Sequence, residues 1–468
     1  MDRERDYFID KKETKMLVQR FEKMLQKKEQ HFFDVIELEC IVDHYLYEFK
    51  INNAEKSVDF ALSLHPYSIE LKIKKAQVLF STGNYKLAHK MLIVLEKIEN
   101  TNPDIFLLLG NIYIIFEKYD KAHEKFRVAI KYSEEDAIEI LLEIALNFEQ
   151  VNKYSDALKY LTEAYLLDNS FLPIIYELAY CYEKTGEFEK SIRYYKIYLE
   201  QEPFSCDAWY NLGLVYNKID DYNSAIDAYD YAIAIDNKFE TVYFNKANSL
   251  ANAEIYTEAI EVYHEYIKIA KESPEAFFYI AECYMRIDDF EMAEKYYSET
   301  LKLDENFSDA LFGVGIINYF KDKYTESLLY LNKAIEIDND NPEYWFYLGL
   351  VNSKLKFEKA SASAFKKASE LDPYDCDIWL SYAELHFENN KIDKAINIIK
   401  KAVSLNNNAK LNFRLAAYYF CNKNIGLAID KFETGLSIDF EKHNEFLNLC
   451  PDANSNNEII ELIDKYKS

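Results

Sequence analysis

The sequence predicts an all-α protein built as an α-solenoid, a row of antiparallel helix hairpins that stack on one another. Three observations lead to this prediction. A pattern of small and aromatic residues recurs every 33 to 35 residues along most of the 468-residue chain. Within each unit, apolar residues recur at three- and four-residue steps in two separate stretches, which is the spacing of one helix face. Only 9 glycines and 8 prolines interrupt the chain, which favours helices joined by short turns.

Twelve units can be aligned on the recurring small residues, and positions are numbered here from the first residue of each unit. The units begin at Val35, Ile69, Pro103, Ile138, Leu172, Cys206, Glu240, Pro274, Ser308, Pro342, Cys376 and Ala409. Each unit of a solenoid buries its apolar face only against its neighbours. We therefore predict one solenoid over residues 35–442, an N-terminal capping helix region over 1–34, and a degenerate repeat with a C-terminal capping helix over 443–468.

The unit that begins at Cys206 shows both of its helices. The apolar face of the first helix carries Trp209, Leu212, Gly213 and Tyr216. After a polar break at Asp220 and Asp221, the second face carries Tyr222, Ala225, Ile226, Tyr229, Ala232 and Ile233. Neither helix can hide its apolar stripe alone, so the two are predicted to pair as a hairpin.

Small residues at two positions predict close packing between these helices. Position 8 is Gly or Ala in every unit except the first, which has Val42, and position 20 is Ala or Ser throughout. Such gaps accept the large side chains of a facing helix. The unit from Pro342 departs from the register, because Phe357 and Ala360 come early, and a turn one residue shorter is expected there.

At both ends the pattern predicts capping helices, since a solenoid must cover its terminal apolar faces. Over residues 14–29 one helical face carries Leu17, Val18, Phe21, Met24 and Leu25. At the other end, Phe446 begins a thirteenth unit that Pro451 interrupts, and a final amphipathic helix is expected around Ile459.

The repeat resembles the tetratricopeptide repeat, whose signature is Trp-x2-Leu-Gly-x2-Tyr followed by small, aromatic and small residues. The matching residues are Trp209, Leu212, Gly213, Tyr216, Ala225, Tyr229 and Ala232. The resemblance implies a right-handed superhelix with a concave groove lined by first-helix positions 2, 5, 9, 12 and 13. It also implies a noncatalytic scaffold that binds a peptide or partner helix in this groove.

Position 5 supplies the main candidates for partner binding. It is aromatic in six successive units, at Tyr176, Tyr210, Phe244, Phe278, Phe312 and Phe346. These rings either pack between neighbouring first helices or offer apolar contact to a bound segment, and the sequence leaves both interpretations open. The polar candidates on the same helices are Asn111, Asn217, Asn248, Lys184, Lys218, Arg286 and Lys354.

Composition narrows the class of partner. The chain has 81 acidic and 55 basic residues. Its net charge of -26 disfavours binding to nucleic acid and to anionic membrane surfaces. The acid excess serves either solubility or a dedicated basic partner. The seven cysteines form no Cys-x-x-Cys pair, and no secretory signal or membrane span is recognisable, so a cytoplasmic protein is predicted.

No catalytic, cofactor or metal motif is recognisable, and no cofactor is predicted. The eight histidines never fall three to five residues apart, and no phosphate-binding Gly-rich loop is present. A protein or peptide partner is therefore expected, and self-association stays open. Two alternatives remain: a peptide-responsive sensor whose superhelical pitch changes on binding, and, more distantly, an enzyme with an unrecognised site.

Overall fold

The computed structural model describes residues 11–27, 31–133, 137–271 and 273–467, and all regular elements in these ranges are helices. They comprise 27 α-helices and two short 3-10 helices. The chain divides between Asp236 and Asn237 into two compact units. Each unit contains six helix hairpins, which confirms the prediction of an all-α solenoid.

In the first unit, a capping helix precedes the six hairpins. The capping helix is α1 (Lys11–Lys27). The first helices of the hairpins are α2 (Val35–Tyr47), α4 (Ile69–Ser81), α6 (Pro103–Ile115), α8 (Ala137–Glu149), α10 (Leu172–Lys184) and α12 (Cys206–Lys218). The second helices are α3 (Ile51–Leu64), α5 (Tyr85–Ile98), α7 (Tyr119–Tyr132), α9 (Tyr154–Leu167), α11 (Phe188–Gln201) and α13 (Tyr222–Ile235).

The second unit has six hairpins and a C-terminal cap. Its first helices are α14 (Glu240–Asn252), α16 (Pro274–Arg286), α18 (Ser308–Phe320), α20 (Pro342–Lys354), α22 (Cys376–Glu388) and α24 (Ala409–Cys421). Its second helices are α15 (Tyr256–Ala270), α17 (Phe290–Leu303), α19 (Tyr324–Ile337), α21 (Glu358–Leu371), α23 (Ile392–Leu405) and α25 (Ile425–Ile438). The cap contains α26 (Asn444–Leu449) and α27 (Asn457–Lys467), with 3-10 helices at Phe440–His443 and Pro451–Ser455.

The ends of the helices follow from local residues. Side chains that precede the first helices cap them by accepting a backbone N–H, and these residues are Asp34, Ser68, Asn102, Ser205, Ser273, Asn341, Asp375 and Asn408. Proline occupies the first helical residue of α6, α16 and α20, where no N–H partner is lost. In every hairpin, position 15 has a positive φ, and Gly occupies it only at Gly83 and Gly186.

The inside of each hairpin contains the predicted small residues. A Cβ added at Gly213 would lie 2.4 Å from the Tyr229 ring, so the two helices approach closely at this point. Three units place serine at position 20, and the hydroxyl of each donates to the position-8 carbonyl of the facing helix. These bonds join Ser191 to Ala179 (2.7 Å), Ser327 to Gly315 (2.7 Å) and Ser361 to Gly349 (2.8 Å). The buried hydroxyl groups of these serines therefore have hydrogen-bond partners inside the core.

One detail of the repeat register was predicted wrongly. The turn of the unit from Pro342 is not shorter: Lys356 has the usual positive φ, and α21 begins at position 17 like the other second helices. Phe357 is consequently exposed and precedes the helix.

Both capping helices form. In α1 the side chains of Leu17, Val18, Phe21 and Met24 are buried, whereas Leu25 is half exposed, which corrects its assignment to the apolar face. The predicted residues 28 and 29 of this helix lie outside the described ranges. At the other end, Phe446 and Ile459 are fully buried in one cluster with residues of α24 and α25. No helix among the described residues is both long and apolar enough to cross a membrane.

Candidate partner-binding surface

In each of the two units, several first helices contact the first helix of the next hairpin. Examples are α4 with α6 and α20 with α22. The term first-helix surface is used here for the side chains at positions 2, 5, 6, 9, 12 and 13 of these helices, taken separately in each unit. It contains all thirteen residues that the sequence singles out.

The position-5 rings are half-buried in both compact units of the chain. Tyr176 and Tyr210 belong to the first unit, and Phe244, Phe278, Phe312 and Phe346 belong to the second. Five of them rest against the aromatic residue at position 24 of their own second helix. The ring centroids are 5.8 Å apart for Tyr176–Tyr195, 6.1 Å for Tyr210–Tyr229, 5.8 Å for Phe244–Tyr263, 6.0 Å for Phe278–Tyr297 and 6.0 Å for Phe346–Phe365.

The sixth ring, Phe312, has a different support. Position 24 of its unit is Leu331, and Phe312 instead stacks on Tyr344 of the next first helix, with centroids 4.7 Å apart. The neighbouring first helix also contributes around Phe244, whose ring contacts Tyr279 of α16. Tyr279, which is 39% exposed, also contacts Phe278 on its own helix. Each ring is thus fixed on one side by packing and retains an exposed part.

The amide candidates are held by hydrogen bonds. Asn217 Nδ2 donates to Tyr229 Oη at 2.9 Å, and Tyr263 Oη donates to Asn248 Oδ1. Asn111 is almost completely buried and accepts from Asn147 Nδ2 at 3.0 Å. Tyrosine hydroxyls of second helices therefore fix two of the three amides at the surface.

All four cationic candidates occupy position 13, the last residue of a first helix, and are exposed. Cations are favoured there because the helix carbonyls give this end a partial negative charge. Lys184 and Lys218 share one partner: their Nζ atoms lie 3.0 and 2.7 Å from Glu183 Oε1, and the Glu183 side chain is 3% exposed. These two lysines thus neutralise a buried carboxylate. Arg286 and Lys354 lie at the corresponding ends of α16 and α20.

Six glutamates with raised pKa values on the same helices were missed when the sequence alone was analysed. Burial raises the pKa of Glu39, Glu143, Glu149, Glu177, Glu282 and Glu343. The pKa of Glu39 rises to about 7, and that of Glu177 also rises to about 7, because the nearby carboxylate of Glu149 adds to the effect of burial. These residues occupy positions 2, 5, 6, 9 and 12, so tabulating charge by repeat position would have found them.

In the described part of the chain, no group of three or more His, Cys, Asp or Glu side chains is arranged to hold a metal ion. The side chains of the first-helix surface comprise aromatic rings fixed by packing, amides fixed by hydrogen bonds, and carboxylates.

Comparison with known families agrees with the repeat register. Models of the tetratricopeptide repeat match four segments, residues 150–213, 206–239, 274–307 and 377–408. The chain is a tetratricopeptide repeat protein. The match at residues 206–239 begins at the same residue as α12 and contains its complete hairpin. No curated protein matches the chain in sequence.

Three solved structures are among those similar to this tetratricopeptide repeat protein. YrrB, described as a TPR protein with an unusual peptide-binding site, is 18% identical over 39% of this chain and 94% of its own, with a TM-score of 0.33. The Cut9–Hcn1 hetero-tetramer of the APC/C is 15% identical over 86% and 92%, with a TM-score of 0.40. The C-terminal part of a TPR protein from Cytophaga hutchinsonii is 17% identical over 51% and 97%, with a TM-score of 0.44.

Proposed function

We propose that this protein is a noncatalytic scaffold that binds a peptide or a helix of a partner protein on its first-helix surface. The observation that carries the proposal is the series of half-buried position-5 rings. Ring contacts on one side fix each of them, and the exposed part remains available to a partner. Rigid aromatic side chains are favoured as binding anchors because they lose little conformational entropy on binding.

Polar groups between the rings define what the partner must supply. The side-chain amides of Asn217 and Asn248 are fixed by tyrosine hydroxyls, and amide groups suit the backbone of a bound segment. The partly buried carboxylates accept hydrogen bonds and gain from a nearby positive charge. We therefore propose a bound segment that combines apolar side chains with N–H donors.

A double variant, Phe244→Ala with Phe278→Ala, tests the proposal by quantitative affinity capture from cell extract. Complete truncation of a buried Phe costs about 3–5 kcal/mol, and about half of that is expected for each of these half-buried rings. A loss of stability alone must therefore be separated from a loss of binding. Phe277→Ala is the matched control, because Phe277 is also half-buried but faces Tyr296 instead of the position-24 rings.

The expected result is that proteins retained by the wild type and by Phe277→Ala are lost from the double variant. Circular dichroism should show the same helical content for all three proteins. Equal retention by the double variant and the wild type would contradict binding at this surface. Equal losses from the control and the double variant would assign the effect to stability and would also contradict the proposal.

A further inference from the structure

A cavity of about 350 Å³ lies between the second helices α11 and α13, with the first helix α12 at its base. Its walls are mainly apolar and aromatic, and its rim is polar. The lining residues are Lys196, Leu199, Glu200, Trp209, Leu212, Tyr216, Ser224, Asp227, Ala228 and Tyr231. Small-molecule sites span roughly 300–1,000 Å³, so this cavity suits a ligand about the size of one large side chain.

Other repeats show what fills this place in the same architecture. In three of them an aromatic residue at position 11 of the first helix stacks on a tyrosine at position 23 of the second. The pairs are Phe148–Tyr160 (centroids 5.7 Å apart, 12° between planes), Tyr182–Tyr194 (5.5 Å, 12°) and Tyr284–Tyr296 (5.5 Å, 9°). In each of these three hairpins the tyrosine of the second helix thus covers one face of the position-11 ring.

The repeat that begins at Cys206 retains only half of this pair. Position 11 is Tyr216, but position 23 is Ala228, and both residues line the cavity. The ring of Tyr216 therefore faces space that a tyrosine of the second helix occupies in the three other repeats. Trp209 occupies position 4 of this repeat and lines the cavity. At the same position of the repeat from Pro274, Phe277 lies against the position-23 ring of Tyr296, with centroids 6.2 Å apart.

A partner for a hydroxyl group is also present. In the repeat from Pro274, Tyr296 Oη is hydrogen-bonded to Nε2 of His264, which occupies position 25 of the preceding repeat, at 3.1 Å. Position 25 of the repeat that precedes the cavity is Lys196, whose Nζ lies 5.7 Å from the centroid of Tyr216. Its side chain is exposed and its ammonium group lies over the Tyr216 ring, from where it can turn to donate to a phenolic oxygen in the cavity.

We propose that this cavity accepts the side chain of a tyrosine from a partner protein. The entering ring stacks on Tyr216 in the place of the absent position-23 ring, and its hydroxyl accepts a hydrogen bond from Lys196. The carboxylates of Glu200 and Asp227 at the rim disfavour a phosphorylated or otherwise acidic ring. Only rim residues could meet the charged groups of a free amino acid, so a tyrosine within a polypeptide is the occupant that the geometry favours. This site is separate from the first-helix surface and does not depend on the function proposed there.

The test uses the full chain with ¹³C-labelled leucine methyl groups, observed by NMR during titration with N-acetyl-tyrosinamide. Saturable shifts are expected for Leu199 and Leu212. N-acetyl-phenylalaninamide should bind about two- to tenfold more weakly, the effect of one lost hydrogen bond. N-acetyl-leucinamide and free tyrosine should bind more weakly than the tyrosinamide. No saturable shift, equal binding of the leucine compound, or tighter binding of free tyrosine would overturn the proposal.

Two variants locate the ligand in the cavity. Ala228→Tyr is expected to supply the missing ring from the protein itself and to abolish binding without lowering the unfolding midpoint. Lys196→Met should weaken the tyrosine compound two- to tenfold and leave the phenylalanine compound unchanged. The control Lys295→Met alters an exposed lysine in a repeat that has its own stack, and binding should be retained.

Binding that persists in Ala228→Tyr would contradict a site at this cavity. Should that variant fail to fold, the Lys196→Met titration decides the question, since this exposed residue can be replaced without loss of the core. Equal weakening of both compounds by Lys196→Met would contradict the assigned role of the hydroxyl group.

Discussion

Two tyrosines at position 24, Tyr195 and Tyr229, provide a comparison in which the same substitution should have opposite effects. Both are completely buried. Tyr229 Oη accepts a hydrogen bond from Asn217 at 2.9 Å, whereas no described residue forms a hydrogen bond with Tyr195 Oη. We expect Tyr195→Phe to stabilise its repeat and Tyr229→Phe to destabilise its repeat.

The magnitudes follow from the two environments. A buried hydroxyl without a partner costs about 1–3 kcal/mol, so its removal at Tyr195 should raise the local free energy of unfolding by about 1 kcal/mol or more. The hydrogen bond lost at Tyr229 contributes about 0.5–1.5 kcal/mol, and the half-buried Asn217 can regain contact with water. The two variants should therefore differ by about 2 kcal/mol.

Hydrogen exchange measured by mass spectrometry is the appropriate assay, because repeat arrays can unfold locally and one global midpoint hides local changes. A change of about 1.4 kcal/mol corresponds to a tenfold change in protection when exchange follows the opening equilibrium. Amides of α11 should gain protection in Tyr195→Phe, and amides of α13 should lose it in Tyr229→Phe. A loss of protection in α11 would refute the reasoning and would mean that the Tyr195 hydroxyl has a hydrogen-bond partner, such as a bound water.

Three further predictions concern packing, protonation and oxidation. A Cβ at Gly110 would lie 2.2 Å from a buried ring, so Gly110→Ala should lower the free energy of unfolding by about 1–3 kcal/mol in denaturant titrations. In the control Gly426→Ala the new Cβ has no atom within 4 Å, and this change should be neutral or stabilising. Burial raises the pKa of Glu39 from 4.5 to about 7, so the folded state binds this proton more tightly. The free energy of unfolding of the compact unit that ends at Asp236 should therefore fall as the pH rises from about 4.5 to 7. Glu39→Gln should flatten this fall in urea titrations, and an unchanged pH dependence would contradict the prediction. The sulfur atoms of Cys421 and Cys450 lie 3.4 Å apart, so oxidised glutathione should form a disulfide between them and release two glutathione thiols. Peptide mapping should detect this disulfide, and Cys421→Ser should prevent it. Mixed disulfides with glutathione alone would contradict the prediction.

The hairpins could be predicted from sequence because the same few residues recur in every unit. Periodicity located the first helices to within one residue, since small, aromatic and capping residues repeat at fixed positions. The shorter turn expected after Pro342 was wrong because Phe357 was aligned with the helix by its aromatic character. Backbone geometry at Lys356, common to all twelve hairpins, determines where the helix begins.

The candidate surface could be predicted less completely. The position-5 rings were found, but the residue that supports each ring was not, since Phe312 stacks on Tyr344 of the next first helix and the other five contact position 24 of their own repeat. The raised pKa values of Glu143 and Glu177 arise from burial by neighbouring repeats, which no single unit reveals. The cavity beside Ala228 became recognisable only when the stacked pairs of other repeats could be compared with it.

Site-specific photocrosslinking tests the proposed scaffold function most directly. A photoreactive phenylalanine analogue replaces Tyr279, which lies on the first-helix surface and is 39% exposed, or Tyr374, which is 68% exposed and lies between α21 and α22. If partners bind the first-helix surface, a partner protein should be crosslinked from position 279 and not from position 374. Crosslinking from position 374 alone, or equally from both positions, would contradict the account.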